Sequence, residues 1–97
     1  MTFQEIIQGD TPVLVDFFAT WFQPCHMLAP TLEQLAGRHE EGLRILKVDV
    51  DKNPSAASHY QVTGVPTLIL FKQGKAVWRQ SGVVPLNALE QAIQPYL

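Results

Sequence analysis

A buried strand that turns directly into a helix is the feature that most constrains the fold of this chain. Residues 13–18 are almost all apolar and include β-branched and aromatic side chains, which is typical of a strand covered on both faces. Residues 24–39 carry apolar side chains at helical spacing. Pro24 suits the first turn of a helix because its missing N–H is not needed there. Residues 19–25 are therefore predicted to lead from the carboxyl end of a strand into the amino end of a helix.

The only cysteine of the chain, Cys25, lies at the start of this predicted helix. The unpaired N–H groups and the dipole of a helix start favour a thiolate, so we expect a lowered pKa for this thiol unless burial opposes it. A single cysteine excludes an internal disulfide and a Cys-x-x-Cys metal site. The spacing of the histidines predicts no metal site either, and we expect no cofactor.

The rest of the chain predicts a βαβ unit, then a hairpin and a last helix. Residues 43–50 alternate between apolar and polar side chains and form the second predicted strand, which the βαβ rule places parallel to the first. Thr2 and Glu5 can form a capping box at a short first helix. The remaining predicted elements are a short helix over residues 55–60, strands over 67–71 and 76–81 joined by a hairpin turn, and a final helix that starts at Pro85.

Length and composition indicate one compact domain over residues 1–97. Hydrophobic residues make up 46% and charged residues 16% of the chain, which argues against disorder. The net charge of −2 gives no electrostatic basis for binding nucleic acid or an anionic membrane. No apolar run approaches the roughly 18 residues that a membrane span needs, and the first residues lack the pattern of a signal peptide. We therefore expect a cytoplasmic protein with no nucleic-acid or membrane partner.

The stretch Trp21-Phe22-Gln23-Pro24-Cys25 resembles the redox loop of the thioredoxin family, whose pattern is Trp-Cys-Gly-Pro-Cys. Trp21, Pro24 and Cys25 match that pattern, whereas Phe22 stands in place of the attacking cysteine and Gln23 in place of glycine. Further segments extend the resemblance to nearly the whole chain. They are Val15-Asp16-Phe17, Ala29-Pro30, Lys47-Val48-Asp49-Val50-Asp51, Asn53-Pro54, Gly64-Val65-Pro66-Thr67-Leu68, Phe71-Lys72-Gln73-Gly74-Lys75 and Gly82.

The resemblance implies a thioredoxin fold, an α/β architecture in which helices cover both faces of a four-stranded mixed sheet. The family often has a strand before its first helix, and this chain has too few residues there to supply it. We therefore expect that N-terminal strand to be missing and one edge of the sheet to be less protected.

The resemblance also implies a disulfide oxidoreductase lineage, but with its chemistry altered. Exchange needs one thiol to attack a disulfide and a second to resolve the mixed disulfide. Only the resolving position, Cys25, is present, so dithiol–disulfide exchange is expected to be absent or strongly reduced. Cys25 could still act alone as a monothiol that forms a mixed disulfide with glutathione or another protein, or it could be an inert buried residue.

Asp16 is a second candidate for chemistry, because a carboxyl group inside an apolar strand is costly to ionise and its pKa should rise. In the family the matching acid lies beneath the redox loop and moves protons to and from the resolving cysteine, with the lysine that matches Lys47 nearby. The alternative is that Asp16 and Lys47 form a structural buried pair without a catalytic role.

The segment around Pro66 is the third candidate, as a groove for polypeptides. In the family the matching X-Pro bond is cis, faces the redox loop, and lies beside backbone groups that pair with an extended substrate. The alternative is that Pro66 only shapes the chain where it enters its strand. The residues expected to line the groove are Trp21, Phe22, Gln23, Pro24, Val65, Pro66, Gly82 and Val83.

Three functions remain open from the sequence. The first is a disulfide oxidoreductase with an altered loop, the second a redox-inactive or chaperone-like module that binds extended polypeptides, and the third a monothiol protein acting through Cys25. The expected state is a monomer or a weak dimer, since Trp21 and Phe22 together could form an exposed apolar patch.

Overall fold

The structure is a computed structural model that describes residues 1–97, and its elements follow the predicted order. They are α1 (Phe3–Ile7), β1 (Val13–Phe18), α2 (Gln23–Arg38), β2 (Arg44–Asp49), α3 (Pro54–His59), β3 (Thr67–Lys72), β4 (Lys75–Ser81) and α4 (Leu86–Ile93), with a 3₁₀ turn over Gln94–Tyr96. The capping box between Thr2 and Glu5 is present at α1, as predicted. None of the helices has the length and apolar composition that a membrane crossing requires.

The four strands form one mixed sheet in the order β2-β1-β3-β4. β1 is parallel to β2 and antiparallel to β3, and β4 returns antiparallel to β3. These pairings confirm the predicted βαβ unit, the hairpin and the four-stranded mixed sheet. β2 and β4 lie at the two edges of this sheet.

Two apolar clusters lie on the two faces of the sheet, and β1 contributes to both. Successive side chains of a strand point to opposite faces, so Leu14 packs in the cluster with α2 and α4, while Val15 and Phe17 pack in the cluster with α1. This explains why β1 is apolar at nearly every position. By the same alternation, Asp16 lies on the face of the sheet that α2 covers.

The end of α2 is tied to α4 by a polar contact that the sequence did not indicate. Arg38 Nη1 donates to Glu90 Oε2 at 2.7 Å, and His39 Nε2 lies 2.5 Å from Glu90 Oε1. The hydrogen bond with His39 lowers the pKa of the Glu90 carboxyl most, and the hydrogen bond with Arg38 lowers it further. This contact joins the two helices that cover one face of the sheet, at the end of α2 opposite Cys25.

Candidate functional site

The turn between β1 and α2 places Phe22 and Cys25 at the start of the long helix. β1 ends at Phe18 and α2 begins at Gln23, with Phe22 as the residue before the first turn. The Phe22 N–H donates to the Ala19 carbonyl at 3.3 Å, and the Cys25 N–H donates to the Phe22 carbonyl at 3.1 Å. Phe22 is half-buried, whereas Cys25 is buried, with 5% of its surface exposed.

The Cys25 thiol has a raised pKa, so the condition attached to the expectation of a lowered value, that burial could oppose it, is the one that applies. Removal from water raises the pKa most, a hydrogen bond with the Ala19 backbone lowers it, and the charge of Asp16 raises it again. Burial therefore outweighs the hydrogen bond with the Ala19 backbone. The thiol stays protonated at neutral pH, which agrees with the interpretation of Cys25 as an inert buried residue.

Asp16 is almost completely buried, with 2% of its surface exposed, and its Oδ1 atom has no hydrogen-bond partner. Burial raises the pKa of the Asp16 carboxyl from 3.8 to about 6, and the charge of Lys47 lowers it by a smaller amount. The charge of Asp16 also raises the pKa of the Cys25 thiol. This side chain can hold or release a proton near neutral pH beside the only thiol of the chain.

Lys47 lies opposite Asp16 in the register of β1 and β2, but the two side chains form no salt bridge. Lys47 is exposed, and its Nζ atom lies 5.9 Å from the centroid of the Phe18 ring. The alternative of a buried Asp16–Lys47 pair is therefore not what the structure shows. The long lysine side chain carries its charge to the surface and leaves the carboxyl alone in the core.

An apolar cleft of about 360 Å³ lies beside Phe22. Its lining residues are Trp21, Phe22, Val50, Val62, Thr63, Gly64 and Val65. Trp21 is 70% exposed, and its indole Nε1 donates to Asp51 Oδ2 at 2.8 Å, which fixes the orientation of the ring. The Trp21 and Phe22 rings meet edge to face with their centroids 5.6 Å apart, so together they form one wall of the cleft.

The cleft lining also includes Val65, whose peptide bond to Pro66 is cis. The backbone N–H and C=O groups of Val65 have no hydrogen-bond partner within the chain, and Val65 is half-exposed. Pro66 is buried behind it, and its carbonyl accepts a hydrogen bond from the Gly82 N–H at 2.8 Å. The cleft therefore combines apolar side chains with a free donor and a free acceptor at one edge.

The structure places the predicted groove residues in different positions. Trp21, Phe22 and Val65 line the cleft, whereas the others lie outside its lining. Among these, Val83 is 43% exposed next to Gly82, beyond the buried Pro66. The other two, Gln23 and Pro24, lie in the first turn of α2.

Sequence reasoning missed Asp51 and four lining residues of the cleft, Val50, Val62, Thr63 and Gly64. A signal was available for two of them. The carboxyl ends of parallel strands meet at the same edge of a sheet, so Val50 and Asp51, which follow β2, belong beside the turn that follows β1. No comparable signal existed for Val62, because it lies in the irregular segment between α3 and β3.

The site has the groups for binding and for holding a proton. It has one thiol, which excludes an internal dithiol cycle, and no group of three His, Cys, Asp or Glu side chains is placed to hold a metal ion. The apolar cleft and the free backbone groups of Val65 suit an extended peptide, whose main chain can pair with them.

Comparison with known proteins gives one consistent result. The family model described as Thioredoxin matches residues 1–95. The protein named Thioredoxin 1 of Nostoc sp. (strain PCC 7120) is 42% identical over 94 residues, which are 97% of this chain and 88% of that protein. The protein named Thioredoxin of Alicyclobacillus acidocaldarius is 45% identical over 95 residues, which are 98% of this chain and 90% of that one.

A solved structure shares the fold along nearly the whole chain. Mitochondrial thioredoxin 3 from Saccharomyces cerevisiae, in its oxidised form, matches with a TM-score of 0.87 and 35% sequence identity. The match covers 96% of this chain and 86% of that chain.

Proposed function

Because this chain belongs to the thioredoxin family, a disulfide oxidoreductase lineage, we propose that it binds extended polypeptides without catalysing dithiol–disulfide exchange. The observation that carries the proposal is the position of Phe22. Its ring stands at the start of α2, where exchange needs an attacking sulfur, and it forms a wall of an apolar cleft instead. The residue that replaces the nucleophile therefore adds to the binding surface.

The backbone of Val65 supports the binding half of the proposal. An extended peptide that runs along the cleft can accept a hydrogen bond from the Val65 N–H and donate one to its carbonyl, as in the addition of a strand. A side chain of the peptide can then enter the cleft between Trp21 and Val62. The hydrogen bond from Trp21 to Asp51 holds the indole ring in place before the peptide arrives, which lowers the entropy cost of binding.

The state of Cys25 supports the other half of the proposal. The thiol is buried and its pKa is raised, so the thiolate that any exchange reaction requires is scarce at neutral pH. The monothiol function is disfavoured for the same reason. We propose that this cysteine stays a thiol in a reducing cytoplasm, the compartment in which free cysteines persist.

Peptide binding is tested by replacing Trp21. We expect Trp21→Ala to weaken binding of the carboxymethylated B chain of insulin by about tenfold or more, because truncation removes an aromatic wall of the cleft. Isothermal titration calorimetry measures the affinity, and the modified B chain has no thiol that could react with Cys25. Met27→Ala is the matched control, since Met27 is 59% exposed on α2 and lies outside the cleft. Equal affinities for the parent and the Trp21 variant contradict binding in the cleft.

The inertness of Cys25 has its own test. We expect no glutathione adduct when the native protein is incubated with oxidised glutathione at neutral pH, because the thiol is buried and protonated. Intact-mass measurement detects the adduct, and the same incubation in urea is the control, in which Cys25 is exposed and should react. An adduct that forms at the same rate in both conditions favours the monothiol function instead.

A further inference from the structure

Residues 62–65 line the cleft, and they belong to no helix or strand. α3 ends at His59 and β3 begins at Thr67, so these four residues lie in the irregular stretch between the two elements. We call them the lining segment. No ladder of backbone hydrogen bonds fixes the lining segment, so its position relative to Trp21 depends on individual contacts.

The turn that leads into the lining segment has an unusual backbone conformation. Gln61 has a φ of 56°, in the left-handed region that favours glycine. The Gln61 N–H donates to the Ser58 carbonyl at 3.0 Å, and the Val62 N–H donates to the Ala57 carbonyl at 2.8 Å. These bonds form a C-terminal cap of α3 in which glutamine occupies the place usually held by glycine. A side chain at such a φ is tolerated where the surroundings hold the backbone.

Arg79 on β4 donates two hydrogen bonds to this turn. Its Nη1 atom donates to the Tyr60 carbonyl, and its Nη2 atom donates to the Gln61 carbonyl at 2.7 Å. Because the guanidinium is planar and rigid, the two donors fix the orientation of both carbonyls relative to each other. The positive charge also lies at the carboxyl end of α3, where the helix dipole favours it. Arg79 forms no salt bridge, so these two carbonyls are its polar partners.

The sheet provides a fixed base for this contact. The Arg79 backbone pairs with Ile69 of β3, whose side chain is buried in the core. The Tyr60 ring packs against Phe71 of the same strand, with the ring centroids 5.0 Å apart. The start of the turn is therefore attached to the core, and the conformation of Gln61 sets the direction in which the chain leaves it. Arg79 does not line the cleft, so its contact reaches the cleft through this turn.

From these contacts we propose that Arg79 is a positioning residue for the peptide-binding cleft, an inference that rests on the proposed function. Its guanidinium holds the turn at residues 60–61 in the conformation from which the lining segment runs along the cleft. The lining segment is then in place before a peptide arrives. Such preorganisation strengthens binding, because the apparent affinity falls in proportion to the fraction of molecules that are ready to bind.

The affinity for the carboxymethylated B chain of insulin tests this role. Arg79→Ala should weaken binding by about tenfold, which corresponds to a lining segment that keeps its binding position for about a tenth of the time. Arg79→Lys keeps the charge but cannot hold both carbonyls, so its affinity should lie between those of the parent and Arg79→Ala. Gln80→Ala truncates the next exposed side chain of β4 and should leave the affinity unchanged. Isothermal titration calorimetry measures the affinities, and urea denaturation verifies that each variant is folded.

A second substitution tests whether Arg79 acts through the turn. Glycine adopts the φ of position 61 without strain, so Gln61→Gly should hold the turn in the absence of the arginine. Adding Gln61→Gly to Arg79→Ala should restore the affinity to within about threefold of the parent. A loss of affinity that Gln61→Gly does not recover would mean that the arginine contacts the peptide itself, and the proposal would be overturned.

Hydrogen exchange measured by ¹⁵N NMR gives a readout without peptide. In Arg79→Ala the Val62 amide, which donates to the Ala57 carbonyl, should exchange about tenfold faster, whereas the Leu68 amide in β3 should keep its rate. An unchanged Val62 amide, or a variant that loses stability but binds the B chain as tightly as the parent, overturns the role of Arg79. A parent chain that does not bind the B chain contradicts the proposed function instead, and the Val62 amide then still tests whether Arg79 holds the turn.

Discussion

Replacing Phe22 with cysteine is expected to start catalysis of insulin disulfide reduction, which the parent chain should not catalyse. The introduced thiol would stand directly before α2, three residues ahead of Cys25, where two sulfurs can meet. It would be half-exposed at a helix start, the environment that favours a thiolate. With dithiothreitol as reductant, we expect the rate of insulin precipitation to exceed that of dithiothreitol alone by at least about tenfold.

The steps of this reaction assign a role to each neighbour of the introduced thiol. Its thiolate attacks one sulfur of the insulin disulfide and releases the other as a thiolate. Cys25 then loses its proton and attacks the introduced sulfur, which releases the second insulin thiolate and leaves an internal disulfide that dithiothreitol reduces. Asp16 has a pKa of about 6 and its charge acts on Cys25, so we expect Asp16 to accept that proton.

Two further variants make the outcome decisive. Phe22→Ser removes the aromatic ring, as Phe22→Cys does, but supplies no thiol. With this variant, insulin should precipitate at the rate seen with dithiothreitol alone. Phe22→Cys combined with Cys25→Ser should accumulate a mixed disulfide with insulin, because the resolving thiol is missing. Catalysis by the parent chain would contradict the argument from the missing nucleophile. An inactive Phe22→Cys variant with an intact fold would show that the surroundings no longer support exchange.

The fold could be predicted from the sequence because the apolar pattern of each segment and the order of the segments along the chain indicate the same architecture. The continuous apolar run of β1, the helical stripe after Pro24 and the alternation in β2 each indicate one element, and their order leaves few topologies. The site was predicted less completely. Phe22 could be identified because it departs from the redox-loop motif. Asp16 could be identified because it is the charged residue in an otherwise apolar strand.

The properties that could not be predicted depend on burial and on distant contacts. Burial raises the pKa of Cys25 most, a hydrogen bond with the Ala19 backbone lowers it and the charge of Asp16 raises it, and all three depend on the folded surroundings of the thiol. The contact of Glu90 with Arg38 and His39 joins residues about 50 positions apart through helix packing that periodicity does not specify. For the hydrogen bond from Trp21 to Asp51, the parallel pairing of β1 and β2 indicates that the two loops meet, but it does not indicate which side chains bond there.

Replacing Asp16 with alanine is expected to stabilise the protein at pH 8 and to have little effect at pH 4. The carboxyl has a higher pKa in the folded state, about 6, than its ordinary value of 3.8. Between these values the folded state binds more protons than the unfolded state, so the free energy of unfolding falls as pH rises. Well above pH 6 the Asp16 carboxyl is ionised in the folded and the unfolded state, so the folded state carries the whole free-energy cost of a buried carboxylate. The rise in the pKa of Asp16 makes this cost at most about 3 kcal/mol. Because alanine also leaves a small cavity, we expect a gain of about 1–3 kcal/mol at pH 8.

Urea denaturation at several pH values measures this effect as the difference between variant and parent. Taking the difference removes the contribution of Glu90, whose lowered pKa makes stability fall as pH falls. Asp16→Asn keeps the size of the side chain without its charge and should show the same loss of pH dependence. Gln34→Ala replaces an exposed, uncharged side chain of α2 and should leave the pH dependence unchanged. If Asp16→Ala destabilises the protein at pH 8, the carboxylate has stabilising contacts in the folded state, and the argument from burial fails. A gain that is independent of pH would instead come from packing alone and would show that the carboxyl titrates normally.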